Sequence, residues 1–381
     1  MVTLGEVTEC LDGRRIPLNS KHRALRPGRY PYWGSTGIVD HIDEYLFDEP
    51  LVLISEDGGA FDEWYDKPQA FYIDTPVWVN NHIHVLRAKK AILPKWLYYT
   101  LVHRDIQRFL KGATRPKLNQ ADMKRIPIPL PPISTQAAIV ALLDSAERCS
   151  APMPRLIAAK RAFQRGLVQD LLTGRRRFPG FGREGEWRVV SLGSLTTRVT
   201  RRNTGGEAAL VLTCSGEHGL IDQRDYFSKN VAGESLDGYF ILRRGEFAYN
   251  RSTMKGYPFG TIKRLDRYDA GVLSTLNICF RLSEDGWDPD FAIHYFESGL
   301  LNTQLSRIAR VGSRAHGLLN VTAHDFFALK VPVPGRAEQQ RIAGALNALA
   351  GEISSLTVLA SQTAALKRGL LQRLLSGDIA I

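Results

Sequence analysis

The amino-acid sequence predicts an α+β chain of two similar units, each a domain of short strands and small helices followed by a helical segment. Three observations predict it. Residues 129–174 and 332–377 align without a gap, with Gln136 on Gln339 and Gly166 on Gly369. Turn signals at Pro27-Gly28, Gly34-Ser35, Gly58-Gly59 and Asn80-Asn81 punctuate the first part of the chain, as closely spaced strands require. Apolar residues in both repeat copies step by three or four, the spacing of a buried helix face. A repeat spaced by half the chain means two structural units in one polypeptide, which imitates a two-fold dimer while letting its halves differ.

Taken in order, residues 1–133 form the first domain. Leu51–Ser55 and Val77–Arg87 have the β-branched, partly alternating character of strands. Residues 94–111 place Trp96, Leu97, Leu101, Ile106, Phe109 and Leu110 at near-helical spacing, with Pro94 suited to a first turn. The prolines of Ile126–Pro132 forbid helix. A helical region and linker, 134–182, follows: Ser134 caps a helix to about Cys149, Pro152 and Pro154 interrupt it, and a second helix runs to Leu172 before Gly174. The second domain, 183–334, opens with Val190-Ser191-Leu192-Gly193, an echo of Val2-Thr3-Leu4-Gly5, and has its own helix near Phe291–Ile308. Residues 335–381 are the second helical region, extending to Ser376.

The two stripes, Leu156, Lys160, Phe163, Leu167 and Leu171 in one copy and Ile353 to Leu374 in the other, match in register and are expected to pack on each other. Gly166 and Gly369 each cost a helix up to about 1 kcal/mol relative to alanine, so a close backbone crossing is expected there. Each segment, at about 20 to 24 residues, is on the order of 30–36 Å long, close to one turn of duplex DNA.

A chain of 381 residues, 44% hydrophobic and 23% charged, is expected to fold as two or three globular domains. No apolar run reaches the roughly 18 residues of a membrane span, and MVTLGEVTEC lacks signal-peptide character. A cytoplasmic protein is expected, with Cys10, Cys149, Cys214 and Cys279 as reduced, mostly buried thiols. Net charge of +11 and a pI near 9.5 point to a polyanionic partner. The positive charge clusters at Arg14–Arg29, Lys111–Arg125, Arg198–Arg202 and Arg251–Lys255.

Catalytic patterns are missing. There is no phosphate loop, no G-x-G-x-x-G after a strand, no H-E-x-x-H and no G-x-S-x-G. No N-P-P-[YF] or D-P-P-Y tetrapeptide of an amino-methyltransferase occurs. His82 and His84 could share a strand face as metal ligands, but no third ligand follows from spacing, and a hydrogen-bonded pair is the expectation. Asp57, Asp62, Glu63 and Lys67 could form a nuclease set, but are expected to be solvated turn residues. The chain is read as non-catalytic, with no metal site and no membrane partner.

Several pieces together resemble the specificity (S) subunit of type I restriction–modification enzymes. They are Leu4-Gly5 and Leu192-Gly193 opening each half, Asn81-His82-Ile83-His84-Val85-Leu86, and Gly112-Ala113-Thr114 with Leu118-Asn119, echoed by Gly312-Ser313 and Leu319-Asn320. Each half then closes with P-x-P and a Gln-x-x-Ile helix ending in Leu-Leu-Thr-Gly or Leu-Leu-Ser-Gly. The likeness covers nearly the whole chain. Two departures are Pro152/Pro154, without counterpart in the second copy, and Thr275-Leu276-Asn277-Ile278 where the histidine motif would fall. The resemblance implies two target-recognition domains separated by an antiparallel pair of helices, each domain reading half of a split, asymmetric site in double-stranded DNA. It implies docking of two methyltransferase (M) subunits that bind S-adenosylmethionine and methylate adenine, and allows a translocating nuclease (R) subunit to join. No cofactor is expected in this chain. The rival class is a stand-alone two-headed DNA-binding regulator.

For phosphate contacts the candidates are Arg14, Arg15, Lys21, Arg23 and Lys117 in the first domain and Arg201, Arg202 and Lys255 in the second. For base edges they are Arg29, Tyr32, Ser35 and Arg115, then Asn250, Arg251, Arg314 and His316. A surface or fold-supporting role is the alternative for each. Trp33, Trp64, Trp78 and Trp96 are expected in the core. Helix pairing or partner docking is assigned to Gln136, Ile139, Leu143 and Gly166 and to Gln339, Ile342, Leu346 and Gly369.

Overall fold

The computed structural model describes every residue except 113, 182–186, 227–235, 312–316 and 377–381. Its five longest helices are α1 (Pro94–Leu101), α2 (Ile133–Ser150), α3 (Met153–Leu172), α4 (Pro289–Glu297) and α5 (Arg336–Ser376). Two compact units result: Met1–Arg155 with Thr357–Ile381, and Leu156–Leu356.

The first unit is centred on a four-stranded antiparallel sheet in the order Thr8–Cys10, Ile83–Ala88, Leu51–Ser55, Ala70–Ile73. All five residues of Leu51–Ser55 are buried, which explains its unbroken apolar run. A smaller sheet pairs Pro27–Gly34 with Gly37–Ile42 and, in parallel, with Trp78–Val79. Helix α1 buries Trp96 and Leu97 against the main sheet's core. It ends at Leu101, well before the expected 111, and a short 3-10 turn follows at Gln107–Phe109. The Asp105 side chain accepts from the Gln107 backbone N–H at 3.0 Å, offering the chain a local turn in place of continued helix.

The second unit repeats this plan. Its main sheet runs Thr196–Arg198, Asn277–Leu282, Phe247–Asn250, Thr261–Arg264. Asp288 caps α4 through the N–H groups of Asp290 and Phe291, and Pro289 occupies the first turn. The helix expected across 291–308 is two helices, α4 and Asn302–Ile308, divided at Gly299, whose φ of +76° no helix accommodates.

Helix α2 begins at Ile133 with Pro132 before it, so Ser134 lies inside the helix and does not cap it. The interruption at Pro152 is present between α2 and α3, and α5, lacking those prolines, runs unbroken. In the first unit Glu147 of α2 pairs with Lys367 of α5, and Ile139 and Leu143 share a core with Leu371. In the second unit Lys160 of α3 meets Glu352 of α5 at 2.7 Å, and Leu171 and Leu172 share a core with Ile342 and Leu346. Rising numbers on one helix meet falling numbers on the other in both units, so the pairs are antiparallel. The glycine expectation is corrected: a Cβ at Gly166 or Gly369 would meet nothing within 4 Å, so neither marks a tight crossing. By length and composition a stretch of α5 within Arg336–Arg373 also passes for a membrane span. Ile342, Leu346, Ile353 and Leu371 are buried, but Leu156 and Phe163 of one expected stripe and Leu359 and Leu366 of the other are exposed, so the stripes pack only in part and that expectation is corrected.

Each helical region is fixed to its domain by an equivalent glutamine. The Gln136 side-chain oxygen accepts from the Leu93 N–H at 2.9 Å and its amide donates to the Pro131 carbonyl at 2.9 Å. Gln339 does the same with the Asp288 N–H at 2.6 Å and the Pro334 carbonyl at 2.9 Å. Both side chains are buried, so they anchor the domain and are closed to an external partner. The same holds for Ile139, Leu143, Ile342 and Leu346. Cys214 and Cys279 are buried, which pushes both thiols up to about 12, whereas Cys149 is exposed, contrary to the general expectation of burial.

Candidate nucleic-acid interface

One end of the first unit's sheet gathers residues 34–37, 56–60, 80–82, 111–112 and 114–117. Ser55 Oγ donates to the Ser35 carbonyl at 2.6 Å, and the Asn80 N–H to the Trp33 carbonyl at 3.0 Å. The Glu56 N–H reaches the His82 carbonyl at 3.0 Å, and the Leu118 N–H reaches the Glu56 carbonyl at 2.7 Å. Lys111 and Lys117 exchange backbone bonds at 2.8 Å, closing the last loop. Backbone bonding thus joins segments far apart in sequence into one tip.

Beneath the tip lies a charged network. His84 is buried, with Nδ1 2.5 Å from Asp12 Oδ2 and Nε2 2.8 Å from the Leu118 carbonyl. Arg15 donates to Glu56 at 2.7 Å and to the Ile83 carbonyl at 2.8 Å, and Lys117 meets Glu56 at 3.0 Å. Burial works to raise the Asp12 and Glu56 carboxyls, but His84 beside Asp12 and Arg15 and Lys117 beside Glu56 hold both below the usual range. Cys10, Asp12 and His84 each place a ligand atom within 4.8 Å of the others, but each already has an internal hydrogen-bond partner.

At the surface of the tip, Asp57 accepts from His82 Nδ1 at 2.8 Å and from Arg115 at 3.3 Å. Lys67 pairs with Glu63 at 2.7 Å on an exposed turn while Asp57 bonds His82 and Arg115, so Asp57 stands apart from the other residues considered as a nuclease set. The second unit repeats one of the first tip's backbone bonds. The Leu319 N–H reaches the Arg251 carbonyl at 2.7 Å, placing Arg251 where the first unit has Glu56. The Arg251 side chain donates to the carbonyls of Leu276 at 2.7 Å and Val321 at 2.9 Å, and partial burial lowers its pKa. By the same sheet registers Ser252 replaces Asp57, Leu276 replaces His82 and Ile278 replaces His84.

Many predicted contacts prove to be internal. Tyr32 is corrected outright: it is buried, and its hydroxyl bonds both backbone groups of Leu18, so it reads no base. Arg15 is held in the network above, and Arg23 pairs with Asp40 at 2.9 Å and the Leu18 carbonyl at 2.7 Å. Arg14 pairs with Glu49 at 3.3 Å, and Arg201 pairs with Glu246. Arg202 donates to the Gly238 carbonyl at 2.7 Å. Asn250 donates to the Cys214 carbonyl at 2.9 Å and accepts from the Ser252 N–H at 3.0 Å, a fold-supporting role. Ser35 contributes its carbonyl to the tip. Lys21, Arg29, Lys255, Arg115 and Lys117 are exposed. Arg314 and His316 lie outside the described residues. What sequence reasoning missed is Asp57 with His82; the one signal was a carboxylate and a histidine both in turns beside strands.

With a strand-rich domain in each of two units, and paired helices in each, the chain is in class a two-unit α+β protein. Residues 1–158 match the family Type I restriction modification DNA specificity domain. Over those residues the chain is similar to that family. A Haemophilus influenzae chain assigned as a type I restriction enzyme specificity subunit is 37% identical over 142 residues, 37% of this chain. That match spans about a third of the relative's length, 36%. Over the full length the fold is that of the type I restriction-modification system S subunit from M. genitalium, with TM-score 0.63, 13% identity and coverage of 98% and 95% of the two chains. The HsdS subunit from Thermoanaerobacter tengcongensis shares it at TM-score 0.50 and 18% identity, covering 99% and 96%.

Proposed function

We propose that the chain is the DNA specificity subunit of a type I restriction–modification system, working in the cytoplasm and itself non-catalytic. Each tip reads one half of a split, asymmetric site in double-stranded DNA. Two methyltransferase subunits dock on the helices and methylate adenine with their own S-adenosylmethionine, and a translocating nuclease subunit can join. The observation that carries this reading is one fold present twice with chemically different loop tips. Exposed cations such as Lys21, Arg29 and Lys255 hold phosphates, giving a binding constant that falls steeply with salt, while tip side chains reach base edges. Docking falls to apolar helix residues the chain leaves open, among them Leu156, Phe163, Val358, Leu359 and Leu366.

Methylation-sensitive sequencing of host DNA with and without the gene tests this. A two-part adenine-methylated motif should vanish with the gene; an unchanged methylation pattern would overturn the reading. The helices also act as a ruler. Four residues added to α3 and four opposite them in α5, about 6 Å of helix, should widen the gap between half-sites by about two base pairs. Altered half-sites with an unaltered gap would defeat the ruler.

A further inference from the structure

Building on that DNA-reading function, we infer that Asp57, His82 and Arg115 are the base-reading cluster of the first unit and that their target is a single G·C pair. Asp57 is only 14% exposed and sits behind the other two, accepting from His82 Nδ1 at 2.8 Å and Arg115 at 3.3 Å. An ionised carboxylate accepts and does not donate, so the ring proton bonded to it is on Nδ1. In the neutral ring this leaves Nε2 as an acceptor, and Nε2 has no partner among the described residues. The ring is 44% exposed and the Arg115 side chain 74% exposed, so both face outward from the tip. Asp57 therefore fixes a rigid acceptor beside a guanidinium whose remaining N–H groups point to solvent.

That outward pattern selects among base pairs. In the major groove guanine offers two acceptors, N7 and O6, and its cytosine offers the N4 amino donor next to them. Arg115 complements the two acceptors and His82 Nε2 the donor, all within one base pair. An A·T pair replaces one of the two adjacent acceptors with a donor, leaving an Arg115 N–H unmatched. The second unit supports the assignment by contrast. Ser252 and Leu276 stand at the places of Asp57 and His82, and Leu276 is 54% exposed, an apolar surface suited to a thymine methyl. The two tips therefore differ at the residues that would read.

The contrast also supplies safe variants, because the fold already carries serine and leucine at these places. The full chain, purified with any methyltransferase that accompanies it, is equilibrated with duplexes randomised at every position, and the retained DNA is sequenced. Wild-type protein should enrich G·C at one position of one half-site by about tenfold to hundredfold, the range expected of a bidentate arginine contact. D57S, H82L and R115A should each lose that preference at that position alone, with unchanged thermal unfolding midpoint and an unchanged second half-site. Uniformly weaker binding with every base preference intact would overturn the proposal and make the cluster a phosphate contact or a structural pair. Wild-type protein that selects no two-part sequence would overturn the DNA-reading function and this assignment with it, a result distinct from the first.

Discussion

In the first unit Glu56 occupies the place that Arg251 holds in the second, and each carries the same backbone bond, to Leu118 and Leu319. A buried carboxylate there has to be matched by cations from elsewhere in the chain, and Arg15 and Lys117 supply them. An arginine at the same place needs only carbonyls, which Leu276 and Val321 present without further side chains. Below it the exchange continues, with buried His84 against buried Ile278. Away from the tips the units agree: Gln136 and Gln339 make equivalent bonds, and Leu143 and Leu346 fill equivalent core positions. The Pro129 and Pro332 carbonyls both accept from a tryptophan, though Trp96 and Trp287 come from different points along their domains. The difference teaches that the backbone framework sustains the fold while the tip chemistry is free to change, even in sign of charge.

The largest test addresses the part that agrees. Leu143→Ala and Leu346→Ala each remove a fully buried side chain and should each cost about 2–5 kcal/mol. Hydrogen exchange should show each variant loosening chiefly its own unit, since the two leucines belong to separate cores. Equal loosening of both units by either change would break the picture of two like but independent cores.

A pH titration sharpens the contrast between tips. Asp12 and Glu56 have folded pKa values below those of the unfolded chain, so their contribution is present above about pH 4 and is lost as pH falls through the lower folded values. Backbone amides at 56–57 and 117–118, corrected for intrinsic rate, should lose protection below about pH 4. Those around Arg251 and Leu319 should not, because that arginine leans on carbonyls. Parallel behaviour of the two tips would remove the distinction.

The smallest effect concerns the paired glycines. With open space where a Cβ would go, Gly166→Ala and Gly369→Ala should each stabilise the protein by about 0.5–1 kcal/mol, read from chemical denaturation. Destabilisation by either would restore the tight-crossing idea that the structure contradicts.

Much of the architecture was legible because it rests on local periodicity and on repetition. The Pro152 break and the stop at Gly174, whose φ is +71°, follow from short-range rules, whereas the antiparallel pairing was implied by the family resemblance alone. The candidate site was far less legible. Arg14, Arg23 and Arg201 look like free cations in a basic stretch, yet their acidic partners lie 35, 17 and 45 residues away, and Arg15 joins nearby Asp12 to Glu56, 41 residues away. Tyr32 resembled a base reader because its neighbours are basic, and its burial depends on packing with Ile42 and Trp78. Asp57 and His82 resembled parts of other sites because nothing local says that they meet.

By itself the sequence determined that there are two units, where proline and glycine break the paired helices, and that the chain is strongly basic. Those properties depend on residue type and spacing along the chain, which hydrogen-bond periodicity and proline or glycine chemistry read directly. Only the tertiary structure decided which charges neutralise one another and which remain outward, because ion pairing depends on distances across folded loops. It alone brought Asp57, His82 and Arg115 together, through backbone bonds between segments that are far apart in the chain.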